Sequence, residues 1–491
     1  MISLGLIALL LMFFLIFILS KYARERKSPQ NFPPGPRPLP IIGSLHIMNL
    51  KRPHKTFMEL AKIYGPVFSI QLGMEKIVVL TGYNTVKEAL VNYADEFSGR
   101  ARMAIFEELN EGNGVAFAHG ENWKVMRRFT LTTLRDFGMG KRTIEDKILE
   151  ECGFLIHHFE SFNGNPFENI MIMNASIANI IVSILLGHRY DYQDPTFLKL
   201  LRLINENNKL TGPLMVGLYN MYPILRKFPG SYTTVRKNTY ELHSFIKETF
   251  LKHLEKLDAN DQRSYIDVFL VRQQEEKANT NSYFHEKNLI CVVRNLFAAG
   301  METTSSTLRW GLLLMMKYPE IQEKVQKEIE RVMGSSKPQI DHRRHMPYTD
   351  AVIHEIQRFA DIVPMNIPHE TTKDVNFKGY FLPKGTYIVP LLTSVLKDQT
   401  QFEKPEQFNP QHFLDSAGNF VKKDAFMPFS AGRRICAGET LAKMELFLYF
   451  TSLLQRFTFR PAPGVTHLDL TPLFGVAVAP MPYLACALPR S

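Results

Sequence analysis

A single cysteine in a glycine-rich loop constrains this chain more than any other feature. Residues 429–438 read Phe429-Ser430-Ala431-Gly432-Arg433-Arg434-Ile435-Cys436-Ala437-Gly438. The segment that follows, 439–457, carries Leu441, Met444, Leu448 and Leu453 among good helix formers. The thiol thus stands at a helix N-terminus, where free N–H groups and the helix dipole favour a thiolate. The glycines permit a tight loop whose N–H groups point at sulfur. Arg434 is close enough in sequence to neutralise an anionic group held there. The plainer alternative is a small buried hydrophobe beside a turn. The other cysteines, Cys152, Cys291 and Cys486, match no zinc or disulfide framework, which points to a reducing compartment.

The N-terminus reads as a membrane anchor. Residues 2–19 are apolar apart from Ser3 and Gly5, and Lys21, Arg24, Arg26 and Lys27 follow at once. That run is just long enough to span a bilayer. A cleaved signal would show a basic start, a shorter apolar run and a small-residue cleavage site. The basic flank after the helix places the rest of the chain on the cytoplasmic side. Residues 1–20 are therefore read as the anchor and 21–40 as a basic, proline-rich hinge. Proline fixes φ and removes donors, so the stretch from Pro33 to Pro40 is stiff and extended. Residues 41–491 are read as one large catalytic domain.

That body reads as mainly α with a small β portion. At 45% hydrophobic over 491 residues it has ample material for a core. Residues 66–72 and 76–80 flank Gly73 as a hairpin, and a second hairpin is expected over 379–390 with Pro383-Lys384-Gly385 as its turn. Pro319 starts a helix with Ile321, Val325, Ile329 and Val332 on one face. A long apolar helix is expected over 286–317, and residues 258–263 and 277–282 read as surface loops. The net charge of +10 is scattered, and no nucleic-acid motif is present. An acidic partner or an anionic membrane surface suits it better than nucleic acid.

The cysteine loop fits F-x-x-G-x-R-x-C-x-G, and with it the chain resembles the cytochrome P450 superfamily. Other motifs extend the resemblance over nearly the whole chain. Glu355-Ile356-Gln357-Arg358 fits the family's E-x-x-R, two charges on one helical face. Pro410-Gln411-His412-Phe413 stands where an arginine usually completes that structural triad; His412 there is similar to the microsomal branch called family two, and makes the triad's charge pH-dependent. Ala299-Gly300-Met301-Glu302-Thr303-Thr304 fits A-G-x-E-T within the long apolar helix. Thr303 is expected to bond back one turn, opening the helix locally, with Gly300 letting oxygen and water approach. Trp123-Lys124-Val125-Met126-Arg127 fits W-x-x-x-R.

The resemblance implies a P450 fold and a haem b with Cys436 as its axial thiolate. It implies that Arg100, Trp123, Arg127, His369 and Arg434 hold the haem propionates. Electrons from NADPH would arrive through an external reductase, since no flavin or nicotinamide site is evident. Protons would pass Thr303 and Glu302 to bound O₂. A lipophilic pocket is implied from Phe117, Phe297, Ala298, Val363, Ile367, Phe474 and Val476, each with core packing as the simpler reading. Lys124, Arg128, Arg135, Lys141, Lys422, Lys423, Arg433 and Lys443 would form a docking face for NADPH-cytochrome P450 reductase and for cytochrome b5; a solvated basic surface is the simpler reading. The family's microsomal branch implies the endoplasmic reticulum membrane, with drugs, steroids and fatty acids such as arachidonate as substrates. A haem-thiolate isomerase or dehydratase would not need Glu302 and Thr303. A haem protein without enzymatic activity would need neither the distal threonine nor a docking face.

Overall fold

The structure, a computed structural model, describes residues 12–13, 30–211 and 215–490, with backbone alone at 215–216. The expected anchor lies outside the described residues but for Met12 and Phe13, as do residues 21–29 of the hinge. Among the described residues no helix is long and apolar enough to cross a membrane. The proline segment is laid along the body: Pro34 O accepts from Ser69 N at 2.7 Å and Pro33 O from Ser69 Oγ at 2.8 Å.

Helices dominate. Five of them frame the site: α1 (Gly120–Asp136), α2 (Ile170–Leu185), α3 (Glu286–Lys317), α4 (Pro347–Ala360) and α5 (Glu439–Arg456). The long helix α3 has the bounds its apolar pattern predicts. His285 caps it by accepting from Asn288 N, and Glu286 and Lys317 complement the dipole at its two ends. It stops at Tyr318 because Pro319 begins the next helix, Pro319–Met333. α3 packs on α2, α4 and α5 within one large apolar core. Two glycines set how closely. A Cβ on Gly311 would lie 3.2 Å from Ile356 and 3.4 Å from Phe450. A Cβ on Gly300 would lie 2.7 Å from Ile181 on α2. Gly300 therefore faces a neighbouring helix, and its expected role as an approach for oxygen and water is replaced by one in helix packing.

The main sheet has five strands in the order β1 (Val67–Leu72), β2 (Glu75–Leu80), β7 (Tyr387–Pro390), β4 (His369–Glu370), β3 (Gly99–Arg100). β1 and β2 form the expected antiparallel hairpin, Val67 opposite Leu80. The second hairpin differs from expectation. It pairs β5 (Val375–Phe377) with β6 (Tyr380–Leu382), and its turn is Lys378-Gly379, not residues 383–385. Both turn residues have positive φ, 52° and 81°, the conformation a two-residue hairpin requires. β7 is instead taken by the main sheet, parallel to β2 and antiparallel to β4. β4 and β3 bring His369 opposite Arg100. A separate three-stranded sheet joins Phe167–Glu168, Leu484–Pro489 and Phe457–Pro461; the helix before it ends at Arg456, one residue earlier than its sequence suggests.

Candidate functional site

The cysteine loop is wedged against the turn Glu88–Asn92. Gly432 has φ +72°, and a Cβ there would lie 1.7 Å from Leu90 O, so only glycine fits. A short 3₁₀ turn, Gly432–Arg434, leads into Cys436, whose N–H donates to Phe429 O at 3.0 Å. Cys436 is closely surrounded yet accessible, the condition of a residue lining an internal cleft. Burial pushes its thiol up, while the N–H groups of Gly438 and Glu439 and the charge of Arg127 pull it down. A cation at the sulfur would hold the thiolate against that burial.

Around this loop three arginines converge without a carboxylate among them. Arg434 donates from Nε to Ser98 O at 2.7 Å and from Nη2 to Ala118 O at 2.9 Å. Its guanidinium lies 3.7 Å over the Trp123 ring. Arg100 donates to Ala116 O and Ile367 O at 3.2 and 2.8 Å, and Arg127 to Ile435 O at 2.6 Å. Burial first, then the neighbouring guanidiniums, pulls Arg434 down to about 8 and Arg100 to about 9. Burial also lowers Arg127. Three polar atoms in the same group are sealed from solvent and unpartnered: Trp123 Nε1, His369 Nε2 and Arg434 Nη1. His369 Nδ1 bonds Phe97 O at 2.6 Å, leaving Nε2 for another group. Buried like charges with spare donors are unfavourable alone and are satisfied by a multivalent anion. The two propionates of a haem fit that demand, and the adjacent thiol fits its iron. All five residues expected at the propionates therefore belong to one cluster.

On α3, Thr303 Oγ1 donates back to Ala299 O at 2.7 Å. Glu302 points elsewhere: its Oε1 accepts from Asn208 Nδ2 at 2.9 Å and from Ser306 Oγ at 3.3 Å, and its Oε2 is buried without a partner. Burial raises the Glu302 carboxyl, and the field of Arg309 with the two hydrogen bonds partly offsets it. The E-x-x-R pair is fully buried and bidentate, Arg358 Nε and Nη2 each 2.7 Å from Glu355. Arg358 also donates to Leu396 O, Pro405 O and Gln407 O, and Asn409 N donates to Glu355. His412 meets Glu355 Oε2 at 3.1 Å and Glu403 O at 2.6 Å. These bonds fasten residues 396–412 to α4.

The expected pocket residues are less uniform. Phe117 stacks on Phe106 at 3.9 Å, and Phe297 is sunk in the main core. Ala298, Val363 and Ile367 are half-buried, and Val476 is 56% exposed. Phe474 stacks on His54 at 5.0 Å. Of the basic set, Lys124, Lys443 and Arg433 are paired with Glu121, Glu439 and Asp95, and Lys423 donates to Gln401 O. Arg128, Arg135, Lys141 and Lys422 are exposed and make no ion pair among the described residues.

Three residues that sequence reasoning passed over contribute here. Asn208 holds Glu302. Asn295 accepts from the N–H groups of Val115 and Ala116, pinning the loop that carries Phe117. Glu445 on α5 accepts from Thr304 Oγ1 at 3.1 Å. Asn295 interrupts an apolar helix and was visible on that ground; Asn208 carries no local signal.

Comparison with known proteins agrees with this geometry. The profile of the Cytochrome P450 family matches residues 33–487. The chain is 49% identical to cytochrome P450 2K1 of Oncorhynchus mykiss, over 98% of this chain and 96% of that one. It is 51% identical to cytochrome P450 2K6 of Danio rerio over 92% and 90%, and 47% identical to cytochrome P450 2C11 of Rattus norvegicus over 93% and 92%. A cysteine loop beside an anion-seeking arginine cluster, in a chain so similar to these along nearly its full length, belongs to the cytochrome P450 family, whose members are haem-thiolate monooxygenases.

Proposed function

We propose that this monooxygenase hydroxylates or epoxidises lipophilic substrates (xenobiotics, steroids, and fatty acids such as arachidonate) at a haem b ligated by Cys436. Bound through a thiolate, that haem supplies the oxygen activation, the electron-rich sulfur favouring O–O cleavage. Arg100, Trp123, Arg127, His369 and Arg434 would hold its propionates beside the cysteine loop. Thr303 spends its own proton on Ala299 O, so its oxygen accepts from water in the cleft. Glu302 relays protons from the bulk to that water when it turns from Asn208. Glu355, Arg358 and His412 keep the segment before the loop in place. Electrons come from NADPH through a separate reductase that meets the basic face, with cytochrome b5 as a second donor. The apolar residues 1–20 anchor the chain to the endoplasmic reticulum membrane with the catalytic domain on its cytoplasmic face.

The observation that carries this reading is the set of orphan donors among three carboxylate-free guanidiniums beside Cys436. The test is the reduced carbon monoxide complex of the reconstituted chain. We expect the red-shifted absorption of thiolate ligation, lost in Cys436→Ser, and NADPH-dependent product from a lipophilic probe only with reductase present. A Cys436→Ser protein that kept the wild-type band would refute the ligation.

A further inference from the structure

Two non-glycine residues in the left-handed backbone region meet at the edge of the cysteine loop. Asn366 has φ +56° and Ser430 has φ +63°. Asn366 Nδ2 donates to Ser430 Oγ at 2.9 Å, and Asn366 Oδ1 accepts from Ile367 N at 2.8 Å. One end of the amide fixes its own turn, and the other ties that turn to the cysteine loop. A side chain disfavours the left-handed backbone, asparagine less than most. Such conformations persist only where the surroundings hold them, and they gather at functional sites.

Position gives this bond a use. Residues 361–369 leave α4 and run into β4. The start of the segment is held by Val478 N, which donates to Ile362 O at 2.8 Å, and by Thr393 N, which donates to Pro364 O at 3.1 Å. Its end is held by Arg100 Nη1 on Ile367 O at 2.8 Å and by Ala101 N on Pro368 O at 3.2 Å. Pro364 and His369 are buried, and residues 365–368 between them are partly open. Among the described residues, the bond from Asn366 to Ser430 is the one hydrogen bond that ties residues 365 and 366 to another segment. Val363 and Ile367 of the expected pocket flank that stretch. On its far side, Ser430 follows Phe429, whose carbonyl accepts the Cys436 N–H at 3.0 Å. A single side-chain bond thus joins the pocket wall to the loop that carries the thiol.

We propose that Asn366 is a positioning residue for the selectivity of the oxidation. Its bond to Ser430 sets where Val363 and Ile367 stand relative to Cys436, and with them which carbon of a bound substrate is presented for reaction. A misplacement of about 1 Å is enough to change a rate strongly, even when its origin lies away from the reacting atoms. Asparagine suits the position on two counts: it tolerates the left-handed backbone, and its amide offers a donor and an acceptor at once. The proposal rests on Val363 and Ile367 lining the pocket; the tether itself does not.

The test uses the full haem-loaded chain, with two readouts. Hydrogen exchange of residues 361–369 reports the tether, and the ratio of products from progesterone and from dodecanoate, turned over with reductase, reports selectivity. Asn366→Gly keeps the left-handed backbone and removes the amide; Ser430→Ala removes the partner and leaves the segment's own sequence intact. Each should speed exchange at residues 365–367 about fivefold, as for the loss of one neutral hydrogen bond. Each should shift the product ratio about two- to fivefold in the same direction, with the reduced carbon monoxide band in its wild-type place. The double variant should go no further than either single one, since both remove the same bond. Asn366→Asp, which still accepts from Ile367 N and from the Ser430 hydroxyl, should keep most of the wild-type ratio. Should Asn366→Gly fail to hold haem, Ser430→Ala and Asn366→Asp still decide. Additive shifts in the double variant would overturn the proposal. So would faster exchange with unchanged ratios, provided that Ile367→Ala alters them; if Ile367→Ala leaves them unchanged too, the pocket reading falls instead and takes the proposal with it.

Discussion

Asn208 Nδ2 donates to Glu302 Oε1 at 2.9 Å, while Asn208 Oδ1 accepts from Ala477 N at 3.0 Å and its carbonyl accepts from Val476 N at 3.2 Å. One side chain thus joins the end of the helix Pro195–Leu210, the acid beside Thr303 and the loop that carries Val476. Any movement that opens this roof pulls on the carboxyl that is to relay protons.

Asn208→Ala should therefore disturb proton delivery as well as packing. Removing the amide takes away one of the interactions that hold the Glu302 carboxyl down, so its titration moves further upward. Product per NADPH should fall about two- to tenfold, the lower part of the range for one positioned proton-transfer group, and its pH profile should shift to higher pH. A purely structural role would lower Tm and leave the profile in place.

The buried pair Glu355 and Arg358 gives a second expectation. Glu355→Gln keeps the shape but leaves Arg358, 0% exposed, without its counter-charge. Breaking such a pair costs about 3–5 kcal/mol. The variant should yield little haem-loaded protein, and Glu355→Gln with Arg358→Met should be less damaging than the sum of the single changes. A Glu355→Gln protein with wild-type Tm would show that backbone acceptors alone hold Arg358.

What the sequence made legible was local. The cysteine loop, Glu355 with Arg358, and Trp123 with Arg127 are each set by spacing within one loop or one helical face, and α3 follows from an apolar run between two caps. The β1–β2 hairpin is legible for the same reason. Gly300 was misread because nothing local says which neighbour a glycine faces; Ile181, 119 residues earlier, decides it. The proline-glycine run at 383–385 draws the expected turn away from Lys378-Gly379, because nothing local shows that β7 pairs with β2, some 300 residues away. Asn208 and Glu302 are 94 residues apart, and Thr304 and Glu445 are 141 apart. Such contacts exist only once the helices have packed.

Glu445 supplies a pH dependence. It is 1% exposed, its Oε1 has no partner, and burial raises its carboxyl from 4.5 to about 8, with the Thr304 hydrogen bond opposing. Between those values the folded chain keeps a proton that the unfolded chain releases, so stability falls as pH rises from about 4.5 and levels off above about 8. The whole effect is at most about 5 kcal/mol. Glu445→Gln cannot ionise, so its Tm relative to wild type should climb across that window. A Tm difference that stays constant with pH would mean that Glu445 is not the group titrating.

The basic face gives the last prediction. Arg127 bonds Ile435 O, Gly140 lies against Thr440, and the Lys443 amine stands 5.6 Å over the Phe429 ring, so α1, the turn after it and the start of α5 surround the cysteine loop. Lys124, Arg128 and Arg135 fall at spacings of four and seven along α1 and share one exposed face. Their charges are not equally available. Lys124 and Lys443 have local acids at 2.6 Å, whereas Arg128 and Lys422 make no ion pair among the described residues. A cation already neutralised nearby adds little to the long-range field that steers an acidic partner. Arg128→Glu with Lys422→Glu should therefore slow the first electron transfer from reductase by about tenfold at low salt. Lys124→Glu with Lys443→Glu should slow it less. Both effects should shrink as ionic strength shortens the screening length to about 8 Å. Stopped-flow reduction reads the rate, and peroxide-driven turnover, which bypasses the reductase, reports whether the haem site is intact. Loss of both activities would point to a damaged fold. Equal slowing by the two pairs would show that local pairing does not set the docking field, and no slowing by either would leave the face as solvated surface.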